Sequence, residues 1–202
     1  LDHLRQVTAR APLAVRTSLS ADGLAQVRQL LQGASRPVLI LGNGARRDGS
    51  AEQANAIVQK LGIPVFTIDQ ARGLVPDDGR HCFGYADPLF SRTFRETVAA
   101  DVVVLAGAAI DFHTCFGRGQ LLRPGVKILQ ITEDAALLNQ CRQNELSIQA
   151  PAMQVLREVA ESAPGLAAGW SDWLSFMQQR YAENRERWDT QCREVAIDRT
   201  IH

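Results

Sequence analysis

The chain has 202 residues, 46% of them hydrophobic and 22% charged, with 22 Lys+Arg balancing 22 Asp+Glu. That length supports one good core with a peripheral appendage. Zero net charge, with no basic block beyond the Arg46-Arg47 pair, argues against a nucleic-acid partner, which needs a basic excess to neutralise phosphates. No apolar run approaches the roughly 20 residues of a membrane span, and the first residues lack a charged-then-apolar leader, so no membrane partner and a cytoplasmic location are expected.

Residues 1–19 are weakly patterned and read as a linker or entering segment. Ser20-Ala-Asp-Gly-Leu24 opens a helix with Leu24, Val27, Leu30 and Leu31 at helical spacing and Gly33 near its end. Pro37–Leu41 is a continuous apolar run, the mark of a strand buried on both faces. It runs straight into Gly42-Asn43-Gly44 and a helix start. In a parallel sheet that junction leaves backbone N–H groups aimed where an anion or phosphate can sit. Helical period returns over 50–61 (Ala54, Ile57, Val58, Leu61) and stops at Gly62.

A second strand covers 63–68, a loop 69–78, and His81–Gly84 adds a short strand. Residues 88–100 read as helical. Asp101-Val-Val-Val-Leu-Ala-Gly107 is the strongest strand, followed by strands over 126–131 and 146–148 and helices near 134–140 and 151–162. This alternation predicts an α/β fold: a doubly wound, mostly parallel, Rossmann-like sheet over residues 20–162. Residues 163–202 form a linker and a C-terminal amphipathic helical extension, with Trp170, Trp173, Leu174, Met177, Tyr181, Trp188 and Cys192 near one stripe. Two readings of that stripe stay open: docking on an absent domain or partner, or lying on its own sheet.

Cys82, Cys115, Cys141 and Cys192 form no C-x-x-C pair, so zinc and redox motifs are unsupported, and partly buried thiols in a reducing compartment are expected. The histidines are equally scattered; His113 and Cys115 lie close together, but no third ligand accompanies them. No catalytic or metal-binding residue is identified. The chain opens on Leu1 and closes on Asp198-Arg-Thr-Ile-His202, which suggests an excised piece of a longer protein.

Several segments in order resemble the central domain of thiamine-diphosphate-dependent enzymes of the acetolactate synthase and 2-oxo acid decarboxylase class. They are Arg36–Gly49, Leu61–Thr67, Arg72-Gly-Leu-Val-Pro-Asp77, Asp101–Asp111 and Lys127–Asp134. The resemblance implies a longer, homo-oligomeric enzyme in which a pyrimidine-binding and a diphosphate-binding domain flank this one. It also implies thiamine diphosphate and Mg²⁺ in that parent, a lyase or transferase. Neither the Gly-Asp-Gly…Asn-Asn motif nor the activating glutamate lies in this sequence, so the isolated chain is expected to be catalytically inert.

In some members of that class the central domain holds FAD, in others ADP, in others nothing. The cofactor-binding candidates implied here are Gly42, Asn43 and Gly44 at the glycine turn, Thr67 and Ile68 after the second strand, and Gly107, Ala108 and Asp111 after the strongest one. Against them, Ala109 replaces an arginine suited to phosphate, Thr132 replaces an aspartate, and Ala150-Pro151 replaces a Gly-Asp pair. Each buried charge-assisted bond lost weakens binding by roughly 1.5–3 kcal/mol. The expectation is therefore a structural scaffold with a vestigial nucleotide site and no tightly bound cofactor. The alternative is a self-sufficient FAD-, ADP- or NAD-binding Rossmann-like module. A generic dinucleotide fingerprint is incomplete, because Arg47 stands where the third glycine belongs.

Overall fold

The central strands are written in residues that suit burial on both faces, and the sheet formed by the described residues is parallel throughout. A computed structural model describes residues 19–78, 80–118 and 122–198. In chain order the regular elements begin with α1 (Ala21–Gln32), β1 (Pro37–Leu41), α2 (Asn43–Asp48), α3 (Ala51–Leu61), β2 (Val65–Thr67) and β3 (Cys82–Tyr85). They continue with α4 (Arg92–Arg95), β4 (Val102–Ala106), β5 (Lys127–Thr132), β6 (Leu146–Gln149), α5 (Ala152–Ser162) and α6 (Ser171–Asp198). The six strands lie in the order β3-β2-β1-β4-β5-β6. All five pairings are parallel. Every strand therefore ends at the same edge, and the order reverses between β1 and β4, where doubly wound folds form their crevice.

Period-2 alternation assigns the strand side chains to two separate cores. Leu39, Leu41, Val65, Val104, Leu129 and Ile131 face one layer, where α1, α3 and α5 bring Val27, Leu31, Ile57, Val58, Leu156 and Val159. Val38, Ile40, Phe66, Val103, Leu105 and Ile128 face the other, covered by Phe94 of α4 and by Trp173 and Met177 of α6. Local chemistry sets the helix starts. The Ser20 side chain accepts from the Gly23 amide, and Ser50 and Gln53 form a reciprocal capping box on α3. Pro151 offers α5 no side-chain cap. Asp48, at the end of α2, fills that role by accepting from the Ala152 amide at 2.7 Å.

Three expectations need correction. The segment 88–100 is not one helix: Ser91 caps a fresh start, and only Arg92–Arg95 is α-helical before a 3₁₀ turn over Glu96–Ala99. Near 134–140 there is a single 3₁₀ turn, Ala135–Leu137, capped by Asp134, and Asn139 then takes a left-handed conformation that ends it. Of the four thiols only Cys82 is buried, while Cys115, Cys141 and Cys192 are exposed. Burial, ahead of its neighbours' effects, pushes the Cys82 thiol up to about 12, so it stays protonated and unreactive.

The tail answers the question its stripe posed, but only for half its length. Trp170 and Trp173 straddle the entry to β1, one in each core, and their indole N–H groups donate to Ala34 O (3.0 Å) and Pro37 O (2.9 Å). The first half of α6 thus lies on its own sheet, whereas Trp188, on the same stripe, is 65% exposed. No helix among the described residues is long and apolar enough to cross a membrane. Trp170→Ala and Trp173→Ala are each expected to lower unfolding free energy by about 3–5 kcal/mol in urea titrations, and Trp188→Ala by no more than about 0.5 kcal/mol. Equal effects at all three positions would contradict this division of α6.

Candidate site at the carboxyl edge of the sheet

The glycine turn after β1 lies where the strand order reverses, facing the turn after β4. Its backbone is committed to that neighbour. The Gly42 amide donates to Ala106 O (3.0 Å) and the Gly44 amide to Gly107 O (2.9 Å), while Gly107 itself donates to Ile131 O (2.7 Å). These bonds prolong the β1–β4–β5 ladder past the strand ends.

The two turns also touch too closely for side chains. A Cβ on Gly42 would fall 2.5 Å from Gly107 O, and one on Gly44 2.7 Å from the Gly107 Cα. A Cβ on Gly107 would lie 2.2 Å from the Ala45 nitrogen, at a φ of +63° that itself favours glycine. The glycines at this crossover are thus required by turn-on-turn packing. Asn43 is tied as well, its Oδ1 accepting from the Gln70 amide at 3.0 Å.

The remaining candidates share this edge but turn inward. Thr67 is buried. Its hydroxyl donates to Gly84 O (3.5 Å) and accepts from Arg72 Nη1 (3.3 Å), and Arg72 in turn pairs with Asp77. Ile68 and Ala108 are buried, and the Ala108 carbonyl accepts from Gln130. Asp111 caps the turn that follows it, accepting from the His113 amide (2.9 Å) while its own amide donates to Thr114 Oγ1 (3.0 Å). At the positions of departure, Thr132 Oγ1 accepts from the Asp134 amide, and the Ala150 amide donates to Thr132 O. Arg46 and Arg47 are exposed.

One cluster went unread in the sequence. His113, 2% exposed, sits between two carboxylates: its Nδ1 is 3.2 Å from Asp87 Oδ2 and its Nε2 is 3.4 Å from Asp69 Oδ1. Only the Asp87 contact has hydrogen-bond geometry; Nε2 makes none. Asp69 adopts a φ of +45° and also accepts from the Tyr85 hydroxyl at 3.1 Å. Burial first, and then the Asp69 carboxylate, raise the Tyr85 hydroxyl above its ordinary range. The signal available was an acid just beyond each of β2, β3 and β4, namely Asp69, Asp87 and Asp111, with the only buried histidine among the described residues between two of them. Chemically the cluster is a latch built on two hydrogen bonds: His113 to Asp87 ties the turn after β4 to the end of β3, and the Tyr85 hydroxyl to Asp69 ties β3 to the loop after β2. Among the described residues no group of three or more His, Cys, Asp or Glu could hold a metal ion.

Residues 24–159 match the family described as "Thiamine pyrophosphate enzyme, central domain". Human 2-hydroxyacyl-CoA lyase 1 is 26% identical over 159 residues, covering 77% of this chain and 26% of the lyase. Acetolactate synthase of Mycobacterium avium is 28% identical over 169 residues, covering 77% of this chain and 27% of the synthase. The chain therefore spans about a quarter of the length of these curated relatives. Among solved structures, the thiamine diphosphate-dependent 4-hydroxybenzoylformate decarboxylase of Rhodococcus jostii RHA1 superposes with a TM-score of 0.62 at 23% identity, over 77% of this chain and 29% of that one. At that identity the likeness speaks to the fold alone.

The packing at the crossover makes a graded prediction. Gly73 has a φ of +82° but open space where a Cβ would stand, so Gly73→Ala carries only backbone strain, about 1–2 kcal/mol. Gly107→Ala adds a collision with the facing turn and is expected to cost at least about 3 kcal/mol in chemical denaturation. Comparable losses at the two positions would contradict the interlocking of the turns.

Proposed function

Because this chain belongs to the family of thiamine pyrophosphate enzyme central domains, we propose that it serves as the structural middle of a longer thiamine diphosphate-dependent enzyme. It spaces the pyrimidine-binding and diphosphate-binding domains and contributes to a homo-oligomer. The parent's reaction is of the lyase or transferase kind, in keeping with relatives named 2-hydroxyacyl-CoA lyase and acetolactate synthase. Thiamine diphosphate supplies that chemistry when bound, with Mg²⁺ holding its diphosphate. Among the described residues no group of three or more His, Cys, Asp or Glu could hold that cation, and the Gly-Asp-Gly…Asn-Asn motif that would hold it with the diphosphate does not occur in this sequence. No step of the reaction is therefore assigned to the described residues.

In this reading the nucleotide site is vestigial. A diphosphate at the end of β1 would need free backbone donors and room for close approach. The observation that carries the reading is that the Gly42 and Gly44 amides already donate to Ala106 and Gly107, with the facing turn packed so closely that a Cβ at either glycine would collide with it. Ala109 offers no guanidinium in compensation. A cytoplasmic parent belongs to the same reading.

Isothermal titration of the purified chain with FAD and with ADP is expected to give no saturable heat, and the protein is expected to be colourless. A saturable micromolar isotherm for either nucleotide would overturn the vestigial site and favour the self-sufficient nucleotide-binding module.

A further inference from the structure

A groove of about 680 Å³ lies between the segment that follows β3 and the outer half of α6. Polar contacts fasten α6 along its inner length. Gln178 Nε2 donates to Arg80 O (2.9 Å), Arg180 pairs with Glu96 (3.2 Å), and Asn184 Nδ2 donates to Thr93 Oγ1 (3.2 Å). Past Asn184 the helix runs on with residues 185–194 all exposed. A helix of 28 residues is about 42 Å long at 1.5 Å per residue, longer than the contacts it makes. A stretch polar on most sides and clear of its own domain is typical of a helix bridging to another body.

Two features of the groove define what it would take. Leu89 (78% exposed), Phe90 (80%) and Trp188 (65%) form an apolar rim. Exposed apolar side chains gathered at one place, rather than scattered, mark interaction surfaces, and Trp and Arg are the residues that most often dominate their energetics. The charge is one-sided: Arg92, Arg95, Arg185 and Arg187 line the groove against a single acid, Asp189. Arg95 is turned to Pro88 O and Arg185 to the Tyr181 hydroxyl, while Arg92 and Arg187 have no carboxylate partner among the described residues. This surplus stands on a chain of zero net charge, so it is a local concentration and not a general basicity.

We propose that this groove docks an acidic protein segment that places apolar side chains against Leu89, Phe90 and Trp188 and its carboxylates against Arg92 and Arg187. The inference goes beyond the scaffold reading and does not depend on the vestigial site. Charge complementarity selects the partner's sign, and the length of helix left uncovered favours a polypeptide over a compact ligand.

The test is fluorescence anisotropy of the full chain with two short fluorescein-labelled peptides, one alternating Glu with Leu and Phe, the other carrying Lys for every Glu. The acidic peptide is expected to bind at least about tenfold more tightly than the basic one and to weaken as salt is raised. In the Arg92→Glu/Arg187→Glu double variant the preference should invert, and Trp188→Ala should lose about tenfold for the acidic peptide without losing helical circular dichroism. The proposal is overturned by equal affinity for the two peptides, or by indifference to these substitutions. It is equally overturned if ADP or phosphatidylglycerol vesicles, and not the peptide, bind through the same arginines. Self-association of the chain that Trp188→Ala abolishes would assign the groove to a second copy and overturn it as well.

Discussion

The contact on which the carboxyl edge of this sheet depends is the meeting of two turns, Gly42-Asn43-Gly44 after β1 and Gly107-Ala108 after β4. Their backbones approach so closely that a Cβ at Gly107 would sit 2.2 Å from the Ala45 nitrogen. Hydrogen bonds carry the β1–β4 ladder through the contact. Where a doubly wound sheet reverses its order, neighbouring connections diverge to opposite layers and leave a crevice. Here the glycines draw the turns together in that crevice. The same residues that would permit a phosphate to approach permit the neighbouring backbone to approach, and the hydrogen bonds in this chain run to that backbone.

From that contact the surrounding features follow. Asn43 reaches from the start of α2 to the Gln70 amide, fixing the loop after β2 against the turn. That loop carries Asp69 in a left-handed conformation, which brings its carboxylate to Tyr85 and to the open side of His113. Asp87, from the end of β3, holds the other side of the ring. At the far end of α2, Asp48 supplies the cap that Pro151 cannot, tying α5 to the same assembly. Burial raises the Asp48 carboxyl above its ordinary range, against the lowering effect of that amide. A raised acid contributes stability fully present below its unfolded value and lost as pH rises through the folded one.

Much of this was legible in the chain itself, because burial on both faces leaves unbroken apolar runs. Pro37–Leu41 and 101–107 read as strands for that reason, and the resemblance to thiamine-diphosphate enzymes, carried on those strands with their turns and on Leu61–Thr67, Arg72–Asp77 and Lys127–Asp134, placed the chain in its family. Short-range breaks were harder to see. The helix expected over 88–100 is interrupted because Ser91 competes for the Phe94 amide, and the one near 134–140 ends at Asn139, whose Oδ1 accepts from the Asn144 amide and the Ser147 hydroxyl. The latch at His113 joins residues 26 and 44 positions apart from it, a proximity that only the sheet order creates. Periodicity placed Trp188 on the same stripe as Trp173, yet a stripe carries no information about where the sheet beneath it stops.

The two layers differ in how they are closed. One face is closed mainly by α1, α3 and α5, with Leu166 and Trp170 of the tail completing its edge. The other depends on α6, which arrives last, is pinned by the Trp173 indole and then outruns the sheet. Native-state hydrogen exchange followed by NMR at the Gly42, Gly44 and Gly107 amides tests the closed crossover most directly. The account predicts protection close to that of global unfolding, unchanged by ADP or FAD. Rapid exchange at Gly44 that slows only when nucleotide is added would contradict it.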